Sequence, residues 1–459
     1  MAWSRHLRCT LPGAAAGVLA ALIPAIWMWG FTVDDALIPV RFARHLAAGE
    51  GYRFNVGGQV TDGVTPLPWA FLLAPFARGD ALDVLTRAKY MNLGAWLLAA
   101  AAWGLAVERA EAGRFAKIVA FLALAMSVPV AAYVVSGMET GIAIALATMA
   151  SIQAARPLRA AAFAGLAASF RPDLAPWAIT LALGFALADP ARTRVRVAGA
   201  MGFALAPFLV CALARALVFG RVAPLAVLAK PSDLAHGTSY AVVASLVTAG
   251  PLLALAPLAL RHAPRPAQVI VLSGLAHIGV VAAVGGDWMP FARLMTPVAP
   301  SLVYASVLAA PHARLWSLGV RAAAALGFEL YIAVVAAPAG CHVMQDRAAL
   351  IAAARPLLQN ARIVAALDVG WVGAATEAEI VDLAGITDPT IAALPGGHTS
   401  KRVDPAFLLA RDPDVLLVYS QPRLVESRLL DSEVIAARFE RAASLPLGSR
   451  SYLVFARKR

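Results

Sequence analysis

Long apolar runs separated by short polar stretches fill most of the chain. Hydropathy predicts membrane spans near 11–31, 91–107, 118–135, 140–154, 160–170, 174–188, 197–219, 240–260, 269–285, 294–310 and 322–337, since about 20 apolar residues cross the hydrocarbon core. The first run follows Arg5 and Arg8 and ends in Trp27, Trp29 and Phe31 rather than in small residues, which favours a span over a cleaved signal. Arg171, Pro172 and Asp173 interrupt the run from 160 to 188, so two short helices turning at Arg171 are expected there. In the semi-polar first loop, residues 32–90, Leu37, Val40, Ala43 and Ala47 recur near helical spacing until Gly49 and Gly51. That spacing predicts an interfacial helix beginning just after Asp34 and Asp35. Residues 67–77 are apolar but too short to cross, and are expected at the interface.

The pattern changes at about Pro338. The last 122 residues hold 27 charged groups against 39 in the preceding 337. Strand candidates Ile363–Leu367, Ile380–Leu383, Val415–Tyr419 and Tyr452–Phe455 alternate with helical stretches such as 347–359 and 405–410. A membrane domain over 1–337, its outer loop 32–90 carrying the Asp pair, is therefore expected to lead into a soluble α/β domain over 338–459.

Composition agrees: of 459 residues, 60% are hydrophobic and 14% charged, far from the roughly 25% charged of soluble domains. The fold class expected is a polytopic α-helical membrane protein of about 11 spans. The net charge of +12 does not point to nucleic acid, because the tail is nearly neutral, with 14 Lys and Arg against 13 Asp and Glu. The excess sits between spans. With a cytoplasmic N-terminus, inside segments carry fourteen Lys and Arg, whereas the short outer loops carry Arg171, Arg221, Lys230 and Arg293. Positive charge stays inside, so the chain is expected in the cytoplasmic membrane, with the bilayer as partner and the C-terminal domain on the outer face. Cys9, Cys211 and Cys341 fall in separate compartments of this topology and form no disulfide framework. The histidines show no metal-ligand spacing, and no phosphate-binding loop or dinucleotide fingerprint is present.

Two adjacent carboxylates at a span's outer mouth need a reason, since ionisable groups at a bilayer edge mark pathways and sites. On this topology Asp34, Asp35, Arg41, Arg44, Glu139, Arg171, Asp173, Lys230, Asp287 and Arg293 all lie at one membrane face, where a single cavity would collect them. Such a cavity suits transfer of a sugar from a lipid phosphate to an acceptor hydroxyl. The acceptor proton needs a carboxylate base, and the departing phosphate needs cations aimed at its growing charge. One base suffices for inversion, because phosphate is already a good leaving group, unlike that of a glycosidase. Asp34 or Asp35 would be the base, and Arg41, Arg44, Lys230 or Arg293 would receive the phosphate. A divalent cation on Asp34 or Asp35 with donor phosphate oxygens is chemically reasonable; no other cofactor is expected. Trp69 and Trp288 could stack on a sugar or belong to the aromatic belt. A transporter or flippase of a lipid-linked sugar is the alternative, with the same groups lining a route.

The first-loop run, with its Asp pair, Arg41, Arg44, Gly49, Gly51, Asn55, Gly58, Gly63, Thr65, Pro66 and Trp69, resembles the N-terminal signature of GT-C fold, polyprenyl-phosphate-sugar-dependent glycosyltransferases, and in particular the mycobacterial terminal β-(1→2)-arabinofuranosyltransferase family. Gly137–Thr140 (GMET), Arg171–Asp173 (RPD), Pro224 with Lys230, Gly285–Pro290 (GGDWMP) with Arg293 and Asp382–Pro389 (DLAGITDP) follow in the same order. The resemblance implies Asp34 or Asp35 as base and a donor lipid near Lys230, Asp287 and Arg293. It leaves Asn55, Trp69, Glu139, Arg171, Asp173, Asp287 and Trp288 for sugar or acceptor, a cell-envelope glycan among the acceptors. His45, Val64 and Pro68 depart from the pattern on the acceptor side, so sugar and acceptor stay open.

Overall fold

The computed structural model describes residues 2–248, 250–253 and 260–458. It is mostly helical, with a small C-terminal sheet. Among the described residues, five helices are long and apolar enough to cross a membrane: Pro12–Gly30, Ala81–Arg109, Arg194–Phe219, Arg265–Ala283 and Leu315–Val335. Arg114–Ala125 and Val128–Val134, bent by 49° at their break, make a sixth if counted as one span. Five or six of the described helices are thus long enough by themselves, against the eleven spans expected from hydropathy. The other predicted spans at 140–154, 160–170, 174–188 and 294–310 are helices of 11 to 14 residues, Thr140–Ser151, Pro157–Phe170, Ala175–Ala188 and Ala299–Ala309. At a rise of 1.5 Å per residue these reach only about 17 to 21 Å. Hydropathy cannot separate such helices from spans, because burial against neighbours selects the same residues as lipid does. The expected span 240–260 lies partly outside the described residues; Leu234–Leu246 is its described helix.

The chain divides into two compact units, one of residues 1–31, 89–211 and 232–341, the other of 32–88, 212–231 and 342–459. In the first, Ala143, Ala147, Ala160, Ala164, Ala167 and Ala168 pack with Trp177, Leu181 and Phe185. Small residues let backbones approach; a Cβ on Gly165 would stand 2.2 Å from the Phe203 carbonyl oxygen. The break expected at Arg171 is present, between Pro157–Phe170 and a 3-10 turn at Pro172–Leu174.

The second unit gathers residues 32–88 and 212–231 around the C-terminal sheet. Strands β1 (Ile363–Ala366), β2 (Glu379–Asp382), β3 (Val415–Tyr419), β4 (Phe439–Leu447) and β5 (Arg450–Arg457) lie in the order β2-β1-β3-β5-β4. The first three run parallel, and β5 pairs antiparallel with β3 and β4. Ala365, Val381, Leu383, Leu416 and Val418 face a core closed by Leu408, Val425, Leu429 and Ile435. The four strands expected from sequence are present within a few residues. The pattern of β4 is too polar to read as a strand: it is an edge carrying Glu440, Arg441 and Pro446 with a bulge between Arg441 and Ala443, features that blunt edge-to-edge pairing.

The helix expected after the Asp pair spans Leu37–Ala47, preceded by a 3-10 turn at Asp34–Ala36. It stops where Gly49 and Gly51 adopt φ of 81° and 82°, a region that favours glycine. Its apolar face meets protein. Leu37, Ile38, Val40, Phe42 and Ala43 are buried, and the helix packs on Val369–Ala375 of the C-terminal region.

Candidate functional site

The order β2-β1-β3 makes the gap between β1 and β3 a topological switch point, and the crevice beyond the strands' carboxyl ends is where open α/β sheets hold ligands. Here that crevice carries charge. Asp368 follows β1, and Tyr452 of β5 donates its hydroxyl proton to the Asp368 carboxylate. Arg423 donates to Asp368 Oδ2 at 2.7 Å and to Glu426 at 2.7 Å. Arg347, on the helix Val343–Leu358, stands 3.7 Å from Asp34 Oδ1.

Asp34 is thereby fastened in place. Its carboxylate accepts the backbone N–H groups of Gly370 at 2.9 Å and Trp371 at 3.0 Å, at the start of the helix Val369–Ala375. Burial pushes the carboxyl up, Arg347 pulls it back, and Asp368 and Asp35 push it further, leaving it at about 6. A Cβ on Gly370 would lie 2.0 Å from the Asp34 carbonyl oxygen. Gly370→Ala is therefore expected to undock the Asp pair and cost about 1 to 3 kcal/mol. Thermal unfolding and the activity proposed below should fall together in that variant.

Asp35 differs from its neighbour. Its side chain is 27% exposed, and its Oδ2 lies 3.8 Å from Nζ of Lys230, which is 32% exposed. Lys230 follows the short helix Leu225–Ala229, so residues nearly 200 apart in sequence supply an accessible carboxylate and an accessible ammonium side by side. Of the two aspartates, Asp35 is the one free to meet a substrate.

Three residues assigned to ligands on sequence grounds are fastenings instead. Arg41 is 1% exposed and donates to the carbonyls of Phe54 (2.7 Å), Gly373 (3.1 Å), Thr376 (2.7 Å) and Ala378 (2.8 Å). Four of its five N–H donors are spent on backbone, so it is not placed to bind donor phosphate. Asn55 pairs with both the N–H and the C=O of Ile380, at 3.0 and 2.9 Å, standing in for a neighbouring strand at the β2 edge rather than holding sugar. Trp69 is wholly buried and has no face for stacking. Arg44 is paired with Glu377 at 2.8 Å, away from the aspartates, so its guanidinium is already compensated.

In the other unit Arg171 bridges Glu139 at 3.3 Å and Asp173 at 3.0 Å. Burial pushes Glu139 up. Asp287 accepts from Arg293 Nε at 2.6 Å, and Arg293 also reaches the Met138 sulfur at 3.8 Å. Trp288 is 73% exposed and stacks on His236 with centroids 3.9 Å apart, so one ring face is occupied. Thus GMET, RPD and GGDWMP, with Arg293, meet in one charge network. DLAGITDP is a turn: Asp382 accepts from the backbone of Ala384, Gly385 and Thr387 at 2.8, 3.2 and 2.6 Å.

Sequence reading missed Arg347, Asp368, Arg423 and Tyr452. The rule that α/β sheets expose ligand groups just past parallel strands could have flagged Asp368, two residues beyond β1. It also missed the buried Asp62–Arg215 pair at 2.8 Å, the reason an arginine is tolerated near the end of the apolar helix Arg194–Phe219. Among the described residues no group of three or more His, Cys, Asp or Glu is placed to hold a metal. Asp34, with both oxygens on backbone N–H groups, would leave a divalent ion mainly Asp35 and donor phosphate oxygens.

Asp34 and Asp382 both sit at about 6, raised first by burial from the ordinary 3.8. Between those values the folded chain binds more protons than the unfolded one, so stability falls as pH rises from about 4 to 6 and levels off above. The change is at most about 3 kcal/mol per group. Thermal unfolding from pH 4 to 7 should show that slope, and Asp382→Asn should flatten it.

Residues 343–455, from the helix bearing Arg347 to β5, match a family described as a domain of unknown function (DUF8728). No curated protein and no solved structure matches the chain.

Proposed function

We propose that the chain is an inverting glycosyltransferase of GT-C type, its spans numbering eleven on hydropathy. It moves a sugar, arabinofuranose among the candidates, from a polyprenyl-phosphate donor to a cell-envelope glycan or other acceptor hydroxyl on the outer side of the cytoplasmic membrane. The observation that carries this reading is the partly exposed Asp35 beside Lys230, 3.8 Å apart, next to an Asp34 that is structurally committed. Asp35 takes the proton of the acceptor hydroxyl as its oxygen attacks the anomeric carbon. The bond from that carbon to the phosphate oxygen breaks, and Lys230 neutralises the phosphate that leaves. Asp34 keeps the turn that presents Asp35 rigid.

The test is transfer in proteoliposomes from a synthetic polyprenyl-phosphate sugar to a soluble acceptor. Net glycan synthesis supports the reading, and its absence with a folded protein overturns it. One observation favours the transporter alternative: Glu329 is 1% exposed within the apolar helix Leu315–Val335, and buried intramembrane acids mark translocation routes. Movement of lipid-linked sugar across the vesicle without synthesis would select that alternative.

A further inference from the structure

A second recess in the unit built on the sheet is unrelated to the aspartate pair. It is a cleft of about 270 Å³ lined by the hairpin around Asn55 to Thr61, the β2 edge and the loop Thr387–Thr390. That volume is just under the roughly 300 Å³ at which small-molecule sites begin, so it suits a short segment of a larger ligand. The hairpin is stiff: Arg53 bridges Val60, and Arg53 Nη1 donates to the Gly58 carbonyl at 3.0 Å. Asp388 is fixed by capping Thr390 N–H at 2.9 Å, and Arg411, 3.5 Å from Asp388, lies over the Phe407 ring. Thr61, which lines the cleft, is only 6% exposed, and its hydroxyl has no hydrogen-bond partner. A buried hydroxyl without a partner calls for one.

We propose that this cleft binds a neutral, hydroxyl-rich glycan segment, as a subsite for the acceptor; the acceptor role rests on the glycosyltransferase reading above. The groups offered are those that recognise sugar hydroxyls: carboxylate acceptors from Glu379 and Asp388, a guanidinium donor from Arg411, and amide and hydroxyl groups from Gln59 and Thr61. Two carboxylates against one guanidinium repel phosphate, which separates this cleft from a donor site. A peptide strand is excluded by a different feature, since Asn55 already occupies the N–H and C=O of Ile380 on the β2 edge.

The experiment places the full chain in nanodiscs on an array of neutral and anionic oligosaccharides. Parallel arms carry Gln59→Ala and Glu379→Gln, both at exposed positions, and Thr61→Val. Wild type is expected to retain a neutral oligosaccharide, with affinity falling about fivefold or more in each variant and holding in Asp35→Asn. Absence of neutral binding, preference for anionic glycans, or equal retention by all three variants overturns the proposal. Transfer measured on the same samples separates the two readings: transfer without cleft binding leaves the enzyme and removes the subsite, and cleft binding without transfer does the opposite.

Discussion

Asp35→Asn is expected to lower sugar transfer by about 10²- to 10⁴-fold, the range a positioned general base contributes, with thermal unfolding unchanged. The side chain is part exposed, and its facing ammonium is 3.8 Å away, a separation at which an accessible ion pair contributes little stability. Asp34→Asn should behave differently. An amide keeps one acceptor oxygen but turns an NH₂ group toward the second backbone N–H, losing one of the bonds from Gly370 and Trp371. A loss of about 1 to 3 kcal/mol follows, and activity falls because the turn presenting Asp35 loosens. Transfer assays and melting curves on the two variants distinguish base from brace. Full transfer by Asp35→Asn would remove the mechanism.

The other large effect lies at Arg41. Arg41→Ala strands the carbonyls of Phe54, Gly373, Thr376 and Ala378, and each carbonyl that water does not reach costs about 1 to 3 kcal/mol. The sum is comparable with the total stability of a typical domain, so the unit is expected to unfold or to become protease-sensitive across the first outer loop. Arg41→Lys should rescue poorly, since one ammonium cannot span four acceptors laid out for a planar fork. Limited proteolysis of the full chain in detergent reads the outcome; a wild-type pattern in Arg41→Ala would refute the fastening role.

The charged run after the first span reads in sequence as one working surface, and the structure separates its members by partner. Arg41 and Arg44 are three residues apart on one helix. One is buried among four carbonyls, three of them more than 330 residues away along the chain, and the other pairs with Glu377 at the surface. Local periodicity assigns both to a helix but cannot tell which side meets a later domain. Asn55 shows the same limit, because an amide suited to a sugar hydroxyl is equally suited to a strand edge.

By itself the sequence determined the membrane class, the helices flanking Arg171 and four of the five strands. Each of these is written in local period, composition or spacing. Tertiary structure decided that residues 32–88, 212–231 and 342–459 form one unit, that Asp34 is held by Gly370 and Trp371, and that Asp35 faces Lys230. It also set the lengths of the described apolar helices, of which five or six are long enough to cross by themselves. The reason is physical: hydrophobic burial has a one-dimensional signature, whereas the partner of a carboxylate or guanidinium is fixed only when distant segments close on one another and water leaves.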